Sequence, residues 1–154
     1  MAGAATVGLA LLAVAAPAAA ATPAPRQVTT AGSVSLVQNP AASGCEVYVD
    51  GYDWGGNVIC SYGATAFPLP GGRIEVVAVA PSHVVWTRWS KTSSANPASG
   101  LNPWTGVLGG LIYSGLDAAV YSDGTVIIDG IGGNGNIFYD ERYAPNGPWS
   151  GWYE

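Results

Sequence analysis

The feature that most constrains this chain is an internal repeat. The segment Gly-Arg-Ile-Glu-Val-Val, which starts at Gly72, lies 52 positions before the similar segment Gly-Thr-Val-Ile-Ile-Asp, which starts at Gly124. Each follows a glycine-containing turn, and each is followed at the same offset by a second apolar run, at Val84 and at Asn136. A weaker third copy starts at Gly44. A period near 50 residues is typical of folds in which every repeat is one small sheet.

Each unit reads as a strand, a glycine turn, a second strand, an aromatic strand and a strand with a Pro-Trp pair. We place the units at 28–62, 63–107 and 108–154, the first of which lacks the Pro-Trp strand. The sequence therefore predicts an all-β fold of antiparallel four-stranded repeats of the β-propeller-blade type. A β-sandwich is the alternative. The repeat disfavours it, because sandwich strands need not recur with the same turn and the same Trp.

The composition agrees with short strands and tight turns. Charged residues make up 10% of the chain, whereas Gly occurs 22 times, Tyr 8 times and Trp 6 times. The charged helix formers are therefore scarce. The net charge is −5, with only five Lys and Arg residues. A nucleic-acid partner would require basic side chains to neutralise phosphates, so the sequence predicts none.

The N-terminal segment predicts export. An apolar run over 7–16 is followed by Pro17 and by four alanines that supply an Ala-x-Ala cleavage site near Ala20 or Ala21. We predict a signal peptide over 1–21, a linker over 22–27 and the repeat domain over 28–154. The positively charged start of a typical leader is absent, since no Lys or Arg precedes Arg26. A membrane anchor is the alternative, but the run is shorter than the roughly 20 apolar residues that a span needs. The expectation is a secreted, extracellular protein with no membrane span after cleavage.

Two cysteines, Cys45 and Cys60, flank a turn-rich segment. If this segment folds back as a hairpin with its turn in 50–57, the two side chains meet on adjacent strands. We predict a disulfide, which would close a loop of about 15 residues and contribute roughly 3 kcal/mol. Two buried free thiols are the alternative.

A family resemblance rests on three motifs: Gly-Arg-Ile-Glu-Val-Val-Ala-Val from Gly72, Val-Val-Trp-Thr-Arg-Trp-Ser from Val84, and Pro-Trp-Thr-Gly-Val-Leu-Gly-Gly from Pro103. Together they resemble a blade of the PLL-like (tectonin-type) β-propellers, the superfamily of the bacterial fucose-binding lectins. The resemblance is fullest over 73–110, recurs over 123–152 and is faint over 33–62. It implies a lectin-like carbohydrate-binding propeller with sugar pockets between neighbouring blades.

The chain departs from that family in its number of blades. Members of that family form closed rings of about seven blades, whereas this chain supplies at most three. A three-bladed unit leaves sheet edges open. We therefore expect either a fragment of a longer protein or, if the chain is complete, a homo-oligomer in which several chains complete one propeller.

The candidate site residues are aromatic side chains with arginines beside them, because sugars present apolar faces and many hydroxyl groups. The candidates for carbohydrate binding are Trp86, Arg88, Trp89, Arg142 and Trp149. Trp86 and Trp89 lie an odd number of positions apart, so on one strand they point to opposite faces and only one can be exposed.

No catalytic residues, metal ligands or cofactor are predicted. The single histidine, His83, reads as a turn residue, and no nucleophile motif accompanies it. The adjacent acids Asp140 and Glu141 would point to opposite faces of a strand and cannot act together. The sequence predicts a non-catalytic protein that binds glycan or cell-wall polysaccharide. An extracellular scaffold or protein-interaction module is the alternative, and a secreted glycoside hydrolase is the least favoured.

Overall fold

The computed structural model describes residues 33–107, 109–145 and 147–154. The predicted signal peptide over 1–21 and linker over 22–27 lie outside this part of the chain. The predicted all-β class is confirmed: the described residues form three separate antiparallel sheets in chain order, and they do not close into a ring. One sheet lies within each of the units placed at 28–62, 63–107 and 108–154.

Sheet 1 has three strands in sequential order: β1 (Val34–Gln38), β2 (Cys45–Val49) and β3 (Tyr52–Val58). The turn between β2 and β3 consists of Asp50 and Gly51 alone, both with positive φ angles of 49° and 80°. That backbone is the one that two-residue hairpins require. The turn predicted over 50–57 is therefore too long, because the chain is already extended from Tyr52. The predicted disulfide is confirmed, since Cys45 and Cys60 are bonded with their Cα atoms 5.1 Å apart.

Sheet 2 is the only one of the three with the predicted four strands. They are β4 (Ala64–Pro68), β5 (Ile74–Val79), β6 (Val85–Trp89) and β7 (Thr105–Gly106), again in sequential order. Three short 3-10 turns, Cys60–Tyr62, Pro70–Gly72 and Pro97–Ser99, lie in the connections. In the described part of the chain, no helix has the length and apolar character needed to cross a membrane.

Sheet 3 has three strands: β8 (Asp117–Val120), β9 (Val126–Ile131) and β10 (Ile137–Arg142). The fourth strand predicted for this unit is reduced to one bridge between Tyr139 and Tyr153, whose backbone groups exchange hydrogen bonds of 2.8 and 2.9 Å. Gly151 has a φ of 92°, which interrupts the extended backbone before a longer ladder can form.

Sheet 2 packs between the other two sheets. Every residue of β5 is buried, which is expected only of a strand covered on both faces. Ile74, Val76 and Ala78 belong to a core cluster shared with sheet 1. The alternate residues Val77 and Val79 belong to a second cluster, shared with sheet 3. The described residues thus form a stack of three small sheets with two apolar layers between them.

Candidate functional site

An open cleft lies between the last residues of β3, in sheet 1, and the turn between β5 and β6, in sheet 2. We call it cleft A. Its volume is about 340 Å³. It is lined by Gly56, Asn57, Val58, Ala80, Pro81, Ser82, Trp86 and Trp104. Two indole rings thus share one cleft with a side-chain amide and a hydroxyl group.

Trp86 enters cleft A from β6 and is 36% exposed. Its neighbours Val85 and Thr87 are buried, because alternate residues of the strand point toward sheet 3. Trp89 packs against the cluster between sheets 2 and 3. Trp86 and Trp89 therefore point to opposite faces, as the sequence predicted, and the exposed one is Trp86.

Trp104 forms the second aromatic wall and is held by backbone contacts. Its Nε1 donates to the carbonyl oxygen of Trp54 at 3.3 Å. Its ring lies against Gly56, where a Cβ atom would come within 3.1 Å of three ring atoms. Gly56 has a φ of 102°, which also favours glycine. A side chain at this position would strain the backbone and would require the Trp104 ring to shift by a few tenths of an ångström.

Arg88 lies beside cleft A but is engaged by the protein. Its Nη1 donates to the carbonyl oxygen of Trp54, and its Nε donates to that of Asn102 at 2.8 Å. The guanidinium carbon lies 5.9 Å from the centre of the Trp104 ring. Partial burial lowers the pKa of Arg88, and the charge of Asp53 partly offsets that effect. Arg88 positions Trp104 between sheets 1 and 2.

Arg142 and Trp149, also predicted for binding, lie instead in the layer between sheets 2 and 3. Arg142 is 4% exposed and pairs through both terminal nitrogens with Glu75 of β5, which is fully buried. Thr87 also donates to Glu75. The Arg142 guanidinium lies 4.8 Å from the centre of the Trp149 ring, which packs on the same core cluster. Arg142 thus joins the two sheets, and Trp149, which is partly buried, packs beside it.

Of the residues that line cleft A, only Trp86 was among the predicted site residues. Three of the others carry an aromatic ring or a polar group suited to a sugar: Trp104, Asn57 and Ser82. Trp104 belongs to the Pro-Trp pair that recurs in the repeat. Trp104 has both a structural and a lining position, because its ring packs on Gly56 and also forms a wall of cleft A. Asn57 and Ser82 lie in glycine-rich and turn segments, where no periodic signal indicates which way a side chain points.

The acidic residues do not form a metal site. In the described ranges, no group of three or more His, Cys, Asp or Glu side chains could hold a metal ion. Asp140 is fully buried and accepts from the backbone nitrogen of Gly151 at 2.9 Å, whereas Glu141 on the opposite face accepts from the Tyr153 hydroxyl. Burial raises the pKa of Asp140. The hydrogen bond to Glu141 raises the pKa of Tyr153 to about 12. The two acids thus have separate surroundings, as the alternation of the strand predicts.

Comparison of the chain with protein-family models and with curated proteins finds no match.

Proposed function

We propose that this protein is secreted and binds carbohydrate without catalysis, with glycan or cell-wall polysaccharide as its partner. The observation that carries the proposal is cleft A, in which Trp86 and Trp104 are both accessible beside Asn57 and Ser82. A pyranose ring has an apolar face that stacks on an indole and hydroxyl groups at its edge that pair with an amide or a hydroxyl. Cleft A offers both kinds of contact.

The expected affinity of this single cleft is low. Stacking on an aromatic ring and a few exchanged hydrogen bonds give only a few kcal/mol, which corresponds to a dissociation constant of about 1 mM. We therefore expect weak binding of free monosaccharide and stronger retention on a surface that presents many copies of the sugar.

Binding without turnover follows from the chemistry of the lining. Glycoside hydrolysis typically uses two carboxyl groups that transfer protons near neutral pH. The indole, amide and aliphatic hydroxyl groups of cleft A have no pKa suited to that role. Export is supported by the sequence of residues 1–21 and by the Cys45–Cys60 disulfide, because structural disulfides persist in oxidising compartments.

Retention on immobilised glycans tests the proposal. The mature chain is applied to an array of bacterial, fungal and animal glycans, together with Trp86→Ala and the control Tyr52→Ala. Tyr52 is an exposed aromatic residue, 44% accessible, that does not line cleft A. We expect the wild type and Tyr52→Ala to be retained equally, Trp86→Ala to be retained at least tenfold less, and no sugar to be released from the array. Equal retention of Trp86→Ala, or no retention of the folded wild type on any glycan, would contradict the proposal.

A second candidate function is a protein-interaction or scaffold module. It is favoured by the outward face of sheet 3, where several large apolar side chains are 36–49% exposed. They are Ile131, Ile137, Tyr139 and Tyr153. In a propeller of several chains, the next sheet would cover this face. The native mass of the purified mature chain tests this assembly, since a monomer would contradict a propeller built from several chains.

A further inference from the structure

We propose that the repeat creates a second sugar-binding cleft and that one oligosaccharide chain occupies both clefts together. This inference rests on the proposed function of cleft A and deepens it, because it names the ligand as a linear oligosaccharide or polysaccharide. The second cleft, cleft B, lies at the equivalent end of sheet 3. It is lined by Gly110, Leu111, Ile112, Tyr113, Gly132, Gly133, Asn134 and Phe138.

The first wall of cleft B is related to that of cleft A by the 52-residue repeat. In cleft A this wall consists of the turn between β5 and β6 and the first exposed aromatic residue of β6. In cleft B, the residues 52 positions later form the equivalent wall, which consists of the turn between β9 and β10 and the corresponding aromatic residue of β10. The residues Ala80, Pro81, Ser82 and Trp86 correspond in this way to Gly132, Gly133, Asn134 and Phe138.

The second wall follows from hydrogen bonds at equivalent places. The backbone nitrogen of Ile59 donates to Val79 at 2.8 Å, and that of Tyr113 donates to Ile131 at 2.7 Å. Ile131 lies 52 positions after Val79, so Ile59 and Tyr113 occupy the same place in their repeats. The three residues before each of them line clefts A and B. They are Gly56, Asn57 and Val58 in cleft A, and Gly110, Leu111 and Ile112 in cleft B.

The indole that lies against the glycine is repeated as well. Thr105 pairs with Thr87, and Tyr153 pairs with Tyr139, which lies 52 positions after Thr87. The Trp that precedes each partner is therefore equivalent: Trp104 and Trp152. A Cβ atom on Gly110 would come within 2.8 Å of the Trp152 ring, as one on Gly56 would meet Trp104. The fold thus aligns Trp104 with Trp152, whereas the recurring Pro-Trp pair, at 103–104 and at 148–149, would align Trp104 with Trp149.

Cleft B retains the chemistry of a sugar site in altered form. Its volume is about 300 Å³. Phe138 replaces the indole of Trp86, and Tyr113 is 44% exposed and adds a phenol ring. Asn134 stands in place of Ser82, but its amide already donates to Glu154 at 2.9 Å and accepts from the backbone nitrogen of Asn136 at 3.1 Å. Leu111 occupies the place of Asn57. Cleft B therefore offers an aromatic platform with fewer polar contacts, so we expect it to bind a single sugar more weakly than cleft A.

One turn connects the two clefts. Pro81 and Ser82 line cleft A, and the next residue, His83, stacks on Tyr113 of cleft B with the ring centres 4.0 Å apart. The backbone nitrogen of Ile112 donates to the His83 carbonyl oxygen at 2.9 Å, which fixes this contact. Packed sheets lie about 10 Å apart, so equivalent sites on sheets 2 and 3 are separated by a distance that a short oligosaccharide spans.

The linked sites predict that affinity rises with the length of the sugar chain. Once one end is bound, the other end meets the second cleft at a millimolar effective concentration, so two weak contacts combine to a gain on the order of tenfold or more. The experiment measures dissociation constants by calorimetry for two ladders from monosaccharide to hexamer, of β-1,4-linked glucose and of β-1,4-linked N-acetylglucosamine. The proteins are the wild type, Trp86→Ala, Tyr113→Ala, Phe138→Ala and the control Tyr52→Ala, each checked for cooperative thermal unfolding.

We expect the wild type and Tyr52→Ala to bind longer oligomers of at least one ladder about tenfold more tightly than the monosaccharide. Tyr113→Ala and Phe138→Ala should lose that gain but keep the monosaccharide affinity of cleft A. Tyr113→Ala keeps the test open if Phe138→Ala fails to fold, because Phe138 also packs on the core. If both variants match the wild type on every oligomer while Trp86→Ala loses binding, the second cleft is refuted and the proposed function stands. If the folded wild type binds no member of either ladder, this inference is refuted, while the wider glycan array decides the proposed function.

Discussion

Replacing Arg142 by Met probes the contact that joins sheets 2 and 3. Arg142 of β10 and Glu75 of β5 form a doubly hydrogen-bonded ion pair in which the two residues are 4% and 0% exposed. Met removes the positive charge but keeps an apolar stem of similar length. The fully buried Glu75 carboxylate then keeps only the Thr87 hydroxyl as a donor among these groups.

The expected cost is set by that unpaired carboxylate. Breaking a buried ion pair by removing one partner costs about 3–5 kcal/mol. The Thr87 hydrogen bond to Glu75 remains, so the cost should lie near the lower end of that range. We therefore expect the free energy of unfolding to fall by about 3 kcal/mol. For a domain of this size the loss corresponds to a decrease in melting temperature of roughly 10 °C.

The double variant Glu75→Leu with Arg142→Met separates the charge from the packing. Replacing both members of a buried pair by apolar residues is often neutral. We therefore expect the double variant to unfold within about 1 kcal/mol of the wild type, well below the sum of the two single losses. Urea unfolding, followed by far-UV circular dichroism, measures the free energy of unfolding of the wild type, of Glu75→Leu, of Arg142→Met and of the double variant. A loss below about 1 kcal/mol for Arg142→Met, or additive losses in the double variant, would refute the argument.

Two further predictions concern other parts of the fold. Replacing Cys45 and Cys60 together by Ala should lower the free energy of unfolding by about 3 kcal/mol; urea unfolding measures the loss, and equal stability of the two proteins would contradict it. Burial, and then the charge of the directly opposite Asp117, raise the pKa of Asp129, so the folded chain holds this proton more tightly than the unfolded chain. Stability from this group is therefore present below its ordinary pKa of 3.8 and is lost as the pH rises through the raised pKa. We expect Asp129→Asn to raise the free energy of unfolding at neutral pH by a few tenths of a kcal/mol and to have no such effect well below that pKa. A gain of equal size at both pH values, again from urea unfolding, would contradict this origin.

The sequence predicted those features of the fold that depend on local chemistry. Glycine turns and apolar runs that recur 52 positions apart, together with a weaker third copy from Gly44, indicated three small sheets, and the hairpin between Cys45 and Cys60 indicated the disulfide. Trp86 was correctly separated from Trp89 by the alternation of a strand. These inferences required only short motifs and their spacing, without knowledge of which distant residues come into contact.

Features that depend on distant partners could not be predicted in the same way. Arg142 lies in a polar run, and Glu75, the partner that buries it, is 67 positions away. The sequence therefore favoured an exposed Arg142. Trp104 and Trp152 became equivalent only through strand register, because the Pro-Trp motif favours Trp149 as the match. Cleft A likewise includes Asn57, which lies at a register shift of β3, and Ser82, which lies in a turn.

The central claim is that sugar binds in cleft A, and the indole signals of the tryptophans test it most directly. In proton–nitrogen correlation spectra of the labelled mature chain, each Trp Nε1–H gives a separate signal that can be assigned by substitution. On titration with a glycan retained in the array experiment, we expect the signals of Trp86 and Trp104 to shift in a saturable way. The Trp54 signal should remain in place, since that side chain is 1% exposed and its Nε1 donates to Ala95 at 2.8 Å. Unchanged Trp86 and Trp104 signals at a glycan concentration that saturates retention would contradict the claim.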